Sequence, residues 1–96
     1  MKEGHFQKKV ICELKRRLPD CMVMKQDPKY IQGIPDLLVL NNDKWAALEV
    51  KTSEDANVQP NQKYYIDKMN KMSHAYFINP SNEREVLDEI QQALRA

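Results

Sequence analysis

Two carboxylates and an amine, Asp36, Glu49 and Lys51, lie on either side of a cluster of turn-forming residues, Asn41-Asn42-Asp43-Lys44. The flanking runs, DLLVL over 36–40 and WAALEVK over 45–51, are apolar and partly β-branched, the pattern of two strands joined by a hairpin turn. With Asn42 and Asp43 as a two-residue loop, residues pair outward from the turn, and Asp36 falls opposite Glu49. Opposed residues share a face of the hairpin with Cβ atoms about 4.5 to 5.5 Å apart, and strand alternation sets Lys51 on the same side as Glu49. Leu37, Val39, Leu48 and Val50 then point to the other face, where they can pack against a helix as core.

Neighbouring carboxylates repel, and a cation between them is the usual remedy. Oxygen-only ligands favour a hard divalent ion, and Mg²⁺, which keeps several waters and takes one or two carboxylates plus substrate phosphate oxygens, suits this pair better than Zn²⁺. The backbone carbonyl of Val50 is a candidate further ligand. Such an ion would polarise a phosphate and acidify a water, while Lys51 positions or deprotonates that water and offsets the charge developing on the phosphorane. The chemistry this predicts is in-line hydrolysis of a phosphodiester. Taken singly, Asp36 reads as a strand-start aspartate, and Glu49 and Lys51 as a charged strand face. An acidic pair beside a lysine on otherwise apolar strands is poorly explained by solvation alone.

The elements that must hold these residues are legible around them. Phe6, Val10, Leu14 and Leu18 recur every four positions from Glu3 onward, a helical period that Pro19 closes. Cys21 to Lys25 reads as a short strand, followed by a loop from Asp27-Pro28 to Gly33. After the hairpin, Pro60 sits where a first helical turn tolerates proline, ahead of Tyr65, Ile66, Met69 and Met72. Ala75 to Ile78 reads as a last strand. Asn82 with Glu85 resembles a helix cap before Val86, Leu87, Ile90 and Leu94. The order αβββαβα, with no repeat and no linker, predicts an α/β fold: a central mixed sheet of about four strands flanked by helices.

Composition narrows the class. With 96 residues, the chain makes one domain, 1–96, with room for one core and one site. An apolar share of 42% and a charged share of 30% suit a soluble globular protein. A core this small makes self-association as a dimer a natural supplement. The longest apolar run, Leu37 to Leu40, is far too short to cross a membrane, and a cytosolic location is expected. Cys12 and Cys21 lack the spacing and histidine partners of a zinc site and read as reduced, partly buried thiols, while His5 and His74 have no metal-spaced partner. Fifteen basic and 14 acidic residues leave a net charge of only +1, so a DNA-binding surface has to come from local patches. Lys8, Lys9, Lys15, Arg16 and Arg17 in the first segment, Lys63, Lys68 and Lys71 in a later one, and Lys25 near the end of the first strand are the candidates, against the ordinary reading of such residues as a solvated face. Tyr64, Tyr65, Tyr76 and Trp45 read as aromatics at the edge of the core.

Gly33-Ile34-Pro35-Asp36-Leu37, then Leu48-Glu49-Val50-Lys51-Thr52, then Gln59 and Gln62 opening a helix, resemble the PD-(D/E)XK nuclease superfamily and specifically its VRR-NUC branch. The likeness covers most of the chain, and the hairpin placement, the preceding glycine and the following glutamine helix make it more specific than the bare pattern. It implies a restriction-endonuclease-like fold and DNA cleavage with Mg²⁺ or Mn²⁺. Asp36 and Glu49 would be metal ligands and Lys51 the catalytic lysine, and Gln62 matches the family's glutamine after the ExK strand. Many members complete the metal site with an acid on the first helix; Glu3, at the helix start, fits that place better than its rival Glu13. Small stand-alone members occur in phage genomes, and some resemble Holliday-junction resolvases that act as dimers, which implies a structure-selective enzyme on branched DNA. The alternative is a nuclease-like module that binds DNA or a protein without cutting. A degenerate module is expected to have lost one of Asp36, Glu49 and Lys51, and all three are present.

Overall fold

The computed structural model describes residues 2–95. Its elements run α1 (Glu3–Arg17), β1 (Met22–Lys25), β2 (Leu37–Asn41), β3 (Lys44–Val50), α2 (Pro60–Met72), β4 (His74–Ile78) and α3 (Glu83–Leu94). This is the αβββαβα order that the sequence predicts, with boundaries within a residue or two of those expected. The four strands form one mixed sheet in the order β1-β2-β3-β4. β1, β2 and β3 pair antiparallel, and β4 joins β3 in parallel after the α2 crossover.

The hairpin has the predicted register. Leu37 pairs with Leu48, Val39 with Ala46 and Asn41 with Lys44. Asn42 takes a left-handed φ of 58°, which asparagine tolerates better than other non-glycine residues. Buried Asn41 ties the turn to the end of α3 by donating Nδ2–H to the Leu94 carbonyl at 2.7 Å, satisfying an acceptor the helix leaves open.

One face of the sheet carries the main core. Phe6, Val10 and Leu14 from α1, and Val86, Leu87, Ile90 and Leu94 from α3, bury themselves against Leu37, Val39, Leu48, Val50 and Ile78. The other face is covered by α2, whose Ile66 packs on Ala47 and Ala75 with Trp45, Met69 and Phe77 around them. Small side chains at 47 and 75 let the helix lie close to β3 and β4. α2 leaves β1 largely bare, and Met22 and Met24 remain 60% and 45% exposed.

Three local expectations differ. Tyr64, expected at the edge of the core, is exposed because it lies on the outer side of α2, away from Ile66. Cys12 is exposed rather than partly buried, because it falls between the stripes of α1 that face the sheet; only Cys21 is buried, and both thiols are free. Asn82 does stand at the N-cap of α3, but its side chain makes no cap bond. Its Oδ1 accepts the Asn79 N–H and its Nδ2 donates to the Phe77 carbonyl, at 2.8 and 3.0 Å, so it fastens the β4–α3 turn instead.

Candidate active site

β2 and β3 bring the acids together as the hairpin register requires. Asp36 lies one residue before β2, and its Oδ2 accepts the Val50 N–H at 2.8 Å, tying it to the strand that carries Glu49. Glu49 is 3% exposed, the only charged side chain among the buried described residues. The cause is α2: the face of the hairpin that holds the acids is itself roofed by a helix, so the site lies under the first turn of α2 and not on an open strand face.

Gln62 sits in that first turn and joins the other residues. Its Nε2 donates to Glu49 Oε2 at 3.0 Å, while its Oε1 accepts from Lys51 Nζ at 2.9 Å and from the Gln59 backbone N–H at 3.0 Å. Lys51 Nζ also donates to the Asn57 carbonyl at 2.9 Å and stands 3.6 Å from Glu49 Oε2. The Lys51 backbone N–H, just past the end of β3, still bonds to the Ile78 carbonyl at 2.8 Å. Lysine and glutamate are therefore each fixed by two elements.

Gly33 holds the loop and the helix together. It has a φ of +93°, and a Cβ there would lie 2.6 Å from Asn61 Cγ and 2.9 Å from the Asn61 backbone carbon. Only glycine permits both the conformation and the approach of this loop to the first turn of α2. The residues between Gly33 and Asp36 are thereby pinned beside the turn that carries Gln62.

The electrostatics are those of an acidic pocket short of positive charge. Burial pushes the Glu49 carboxyl up to about 7, helped by the neighbouring Asp36 carboxylate and opposed by Lys51. Asp36 is also raised, first by burial, against the pull of the Val50 N–H and with the Glu3 carboxylate adding to the rise. Each shift reflects the cost of a charge taken out of water beside a like charge.

The other expected residues divide. Glu3 is exposed at the start of α1, and its field reaches both Asp36 and Glu49. Its rival Glu13 is bound by Arg16 and Arg17 on the α1–α3 side. Among the described residues no three His, Cys, Asp or Glu side chains lie close enough to hold one ion, so Asp36 and Glu49 form a pair that Glu3 overlooks from outside. Lys25 pairs with Leu37 at the edge of the sheet, one residue from Asp36, and Lys63 follows Gln62 but is engaged by Asp67 at 2.8 Å. Lys8 is exposed on α1, and Lys9 pairs with Glu83 of α3 at 3.1 Å, on the opposite side of the sheet from α2. The contributions of the Asn57 carbonyl and of the Gly33–Asn61 contact were not legible in the sequence. The glycine preceding Pro-Asp was the one signal that pointed toward them.

The fold is similar to that of a solved structure, a VRR_NUC domain protein: the TM-score is 0.73 and the identity 21%, over 98% of this chain and 88% of that one. No family model and no curated protein matches the sequence. The chain thus has a VRR-NUC nuclease-like fold, and no helix among the described residues is long and apolar enough to cross a membrane.

Proposed function

We propose that the chain is a Mg²⁺-dependent DNA endonuclease that hydrolyses phosphodiester bonds, with Mn²⁺ able to substitute. The observation that carries this reading is the buried Glu49, set beside Asp36 with one lysine for the two of them. The name of the structurally similar protein points the same way.

The donor set fits such an ion: two carboxylates, the Val50 carbonyl and, at longer reach, Glu3 offer only oxygen, and the excess negative charge needs a cation. When bound, Mg²⁺ supplies charge neutralisation at a phosphate oxygen and a more acidic water beside it. The chain's own residues do the rest. Asp36 is kept in place by the Val50 N–H, which engages one oxygen and leaves the other available to a ligand. Lys51 Nζ, anchored by Asn57 and Gln62, keeps one proton for the attacking water or the phosphate oxygen on which charge builds. Gln62 orients Glu49 and Lys51 together, and α2 limits the approach of bulk water. Lys25, Lys63, Lys8 and Lys9 are the candidate phosphate contacts, Lys25 and Lys63 being those nearest the site.

One chain holds one such site, so symmetric cutting of two strands calls for a homodimer. We extend the reading to branched DNA on this ground and place the enzyme in the cytoplasm, in a phage-type setting, where Cys12 and Cys21 stay reduced. The deciding experiment compares wild type with Asp36→Ala, Glu49→Ala and Lys51→Ala on labelled four-way junction, flap, nicked and linear duplex DNA with Mg²⁺ or Mn²⁺, alongside sedimentation. Metal-dependent cutting lost in all three variants upholds the nuclease; binding without cutting by the wild type identifies a non-catalytic module.

A further inference from the structure

The segment between β1 and β2 carries a feature the hydrolysis does not use. Tyr30 is 82% exposed and Ile31 37% exposed, on a loop that runs directly into Asp36. Such exposure is not slackness, because the loop is tied along its length. Asp27 Oδ1 accepts the Lys29 N–H at 2.8 Å, and the Tyr30 N–H bonds to the Asp27 carbonyl at 3.1 Å. Gln26 donates its backbone N–H to the Asp36 carbonyl at 2.8 Å and its side chain to the Pro35 carbonyl at 3.3 Å. Gly33 then abuts Asn61. An aromatic ring is thus displayed from an ordered frame.

Beneath it lies a cleft of about 290 Å³ between this loop and α2, walled by Tyr30, Ile31, Ile34, Tyr65, Met69 and Met72. Its size is near the lower end of the about 300–1,000 Å³ of small-ligand sites, which suits one flat ring and not a longer ligand. Gln26 also lines the cleft, and its backbone bond to Asp36 links the cleft to the candidate active site. Lys68 lines the opening, Lys25 and Lys29 are exposed on the same stretch of chain, and no acidic side chain lines the cleft among the described residues.

We infer that Tyr30 and this cleft receive an unpaired nucleobase of the DNA substrate, with Lys25, Lys29 and Lys68 holding the adjoining phosphates, and so set the enzyme's preference for branched or interrupted DNA. This rests on the nuclease reading above. An aromatic side chain offers a stacking surface to any base, and the flanking lysines match the polyanionic backbone that must accompany the base. A base is most cheaply removed from its stack at a junction, flap or nick, where pairing is already broken. A second copy of this chain suits the cleft less well, because its lysines would meet their own counterparts.

The test uses the full chain and Tyr30→Ala, Tyr30→Phe and Tyr30→Trp. Steady-state cleavage with Mg²⁺ gives kcat/KM on a four-way junction and on linear duplex, and the ratio of the two is the readout. Tyr30→Ala is expected to lower that ratio about tenfold, chiefly through KM on the junction, with Phe and Trp retaining it and melting temperatures staying together. In parallel, 2-aminopurine placed at the branch point reports stacking on binding with Ca²⁺ in place of Mg²⁺. Wild type and Tyr30→Trp are expected to quench it and Tyr30→Ala is not. An unmoved ratio, or quenching that survives in Tyr30→Ala, overturns the inference. So does a dimer that dissociates in Tyr30→Ala while the ratio holds, which would give the cleft to a second copy. If the wild type cuts no DNA, the nuclease reading fails, and the 2-aminopurine signal still decides the seating of a base.

Discussion

Two clusters of carboxylates and bases sit at different places on this small fold, and they have opposite electrostatics. On the α1–α3 seam Glu13 is held by Arg16 and Arg17, and Arg17 in turn reaches Asp88 at 2.6 Å and Gln91 at 3.3 Å. The guanidinium groups hold the Glu13 carboxyl down at about 2. At the end of β3 the residue types are much the same, yet Glu49 is driven up to about 7 and Asp36 is raised as well. The seam balances its carboxylates with two guanidinium groups and leaves Arg16 and Asp88 open to water; the site buries Glu49 and provides one amine that is shared with Asn57 and Gln62. A protein gains nothing in stability from the second arrangement, and that is the physical reason to read it as functional.

The largest expected contrast is in cleavage. Asp36→Asn and Glu49→Gln are each expected to reduce the Mg²⁺-dependent rate on nicked or branched DNA by about a hundredfold or more, since a weakened ion site removes several kcal/mol of transition-state stabilisation. Single-turnover assays with excess enzyme measure this. Retention of the wild-type rate in Glu49→Gln would make the two clusters equivalent and remove the case for catalysis.

Stability should move in the other direction. The folded pKa of Glu49 lies near 7, above the ordinary 4.5, so between those values the folded protein binds more protons than the unfolded chain, and stability falls as pH rises through that window. Glu49→Gln removes the buried charge and keeps an acceptor for Gln62. It is expected to stabilise the metal-free protein by about 3 kcal/mol at pH 8, on the order of 10 °C in Tm, and by little at pH 4.5. A Mg²⁺ ion held as proposed would require the carboxylate and so displace a proton below pH 7, and its stabilising effect on the wild type should be greater at pH 8 than at pH 5.5. Thermal melts at the two pH values, with and without Mg²⁺, check both signs.

A smaller loss tests the frame of the site. Gly33→Ala introduces a Cβ 2.6 Å from Asn61 Cγ at a φ of +93°, and is expected to cost about 2 kcal/mol, mostly as backbone strain. Because the first turn of α2 must shift, cleavage should fall further than the melting temperature suggests. Asn61→Gly in the same chain relieves the side-chain part of the clash and should restore part of the rate; no restoration would mean that the contact does not position Gln62.

How far the sequence carried these conclusions depends on how local the cause was. The stripe of Phe6, Val10 and Leu14, the Leu37–Leu48 register and the αβββαβα order were legible because period and turn length dictate them. The Asp36–Glu49 pairing came from the same two-residue loop. The burial of Glu49 was not legible, because it comes from α2 settling on Ala47 and Ala75, a tertiary choice that leaves no period in the strand. The role of the Asn57 carbonyl was equally hidden, since any residue type supplies that atom. The exposure of Tyr30 was not legible for a third reason: nothing in its neighbours' pattern tells an exposed tyrosine from a core-edge one.

Glu13→Gln provides the smallest effect and the cleanest control. The substitution removes the carboxylate that Arg16 and Arg17 share, but Arg17 keeps Asp88, and Arg16 and Asp88 are open to solvent that screens part of what is lost. Its depressed pKa means that any stabilisation from Glu13 is present above the ordinary carboxylate range and fades only as pH falls toward 2. Between pH 5 and 8 the melting temperature should therefore shift little and in parallel with the wild type, in contrast to the pH-dependent gain of Glu49→Gln. Cleavage and the Mg²⁺ response should match the wild type. A lost Mg²⁺ response in Glu13→Gln would transfer the role of helix acid from Glu3 to Glu13, and would require α1 to turn its seam face toward the site, which the burial of Phe6, Val10 and Leu14 opposes.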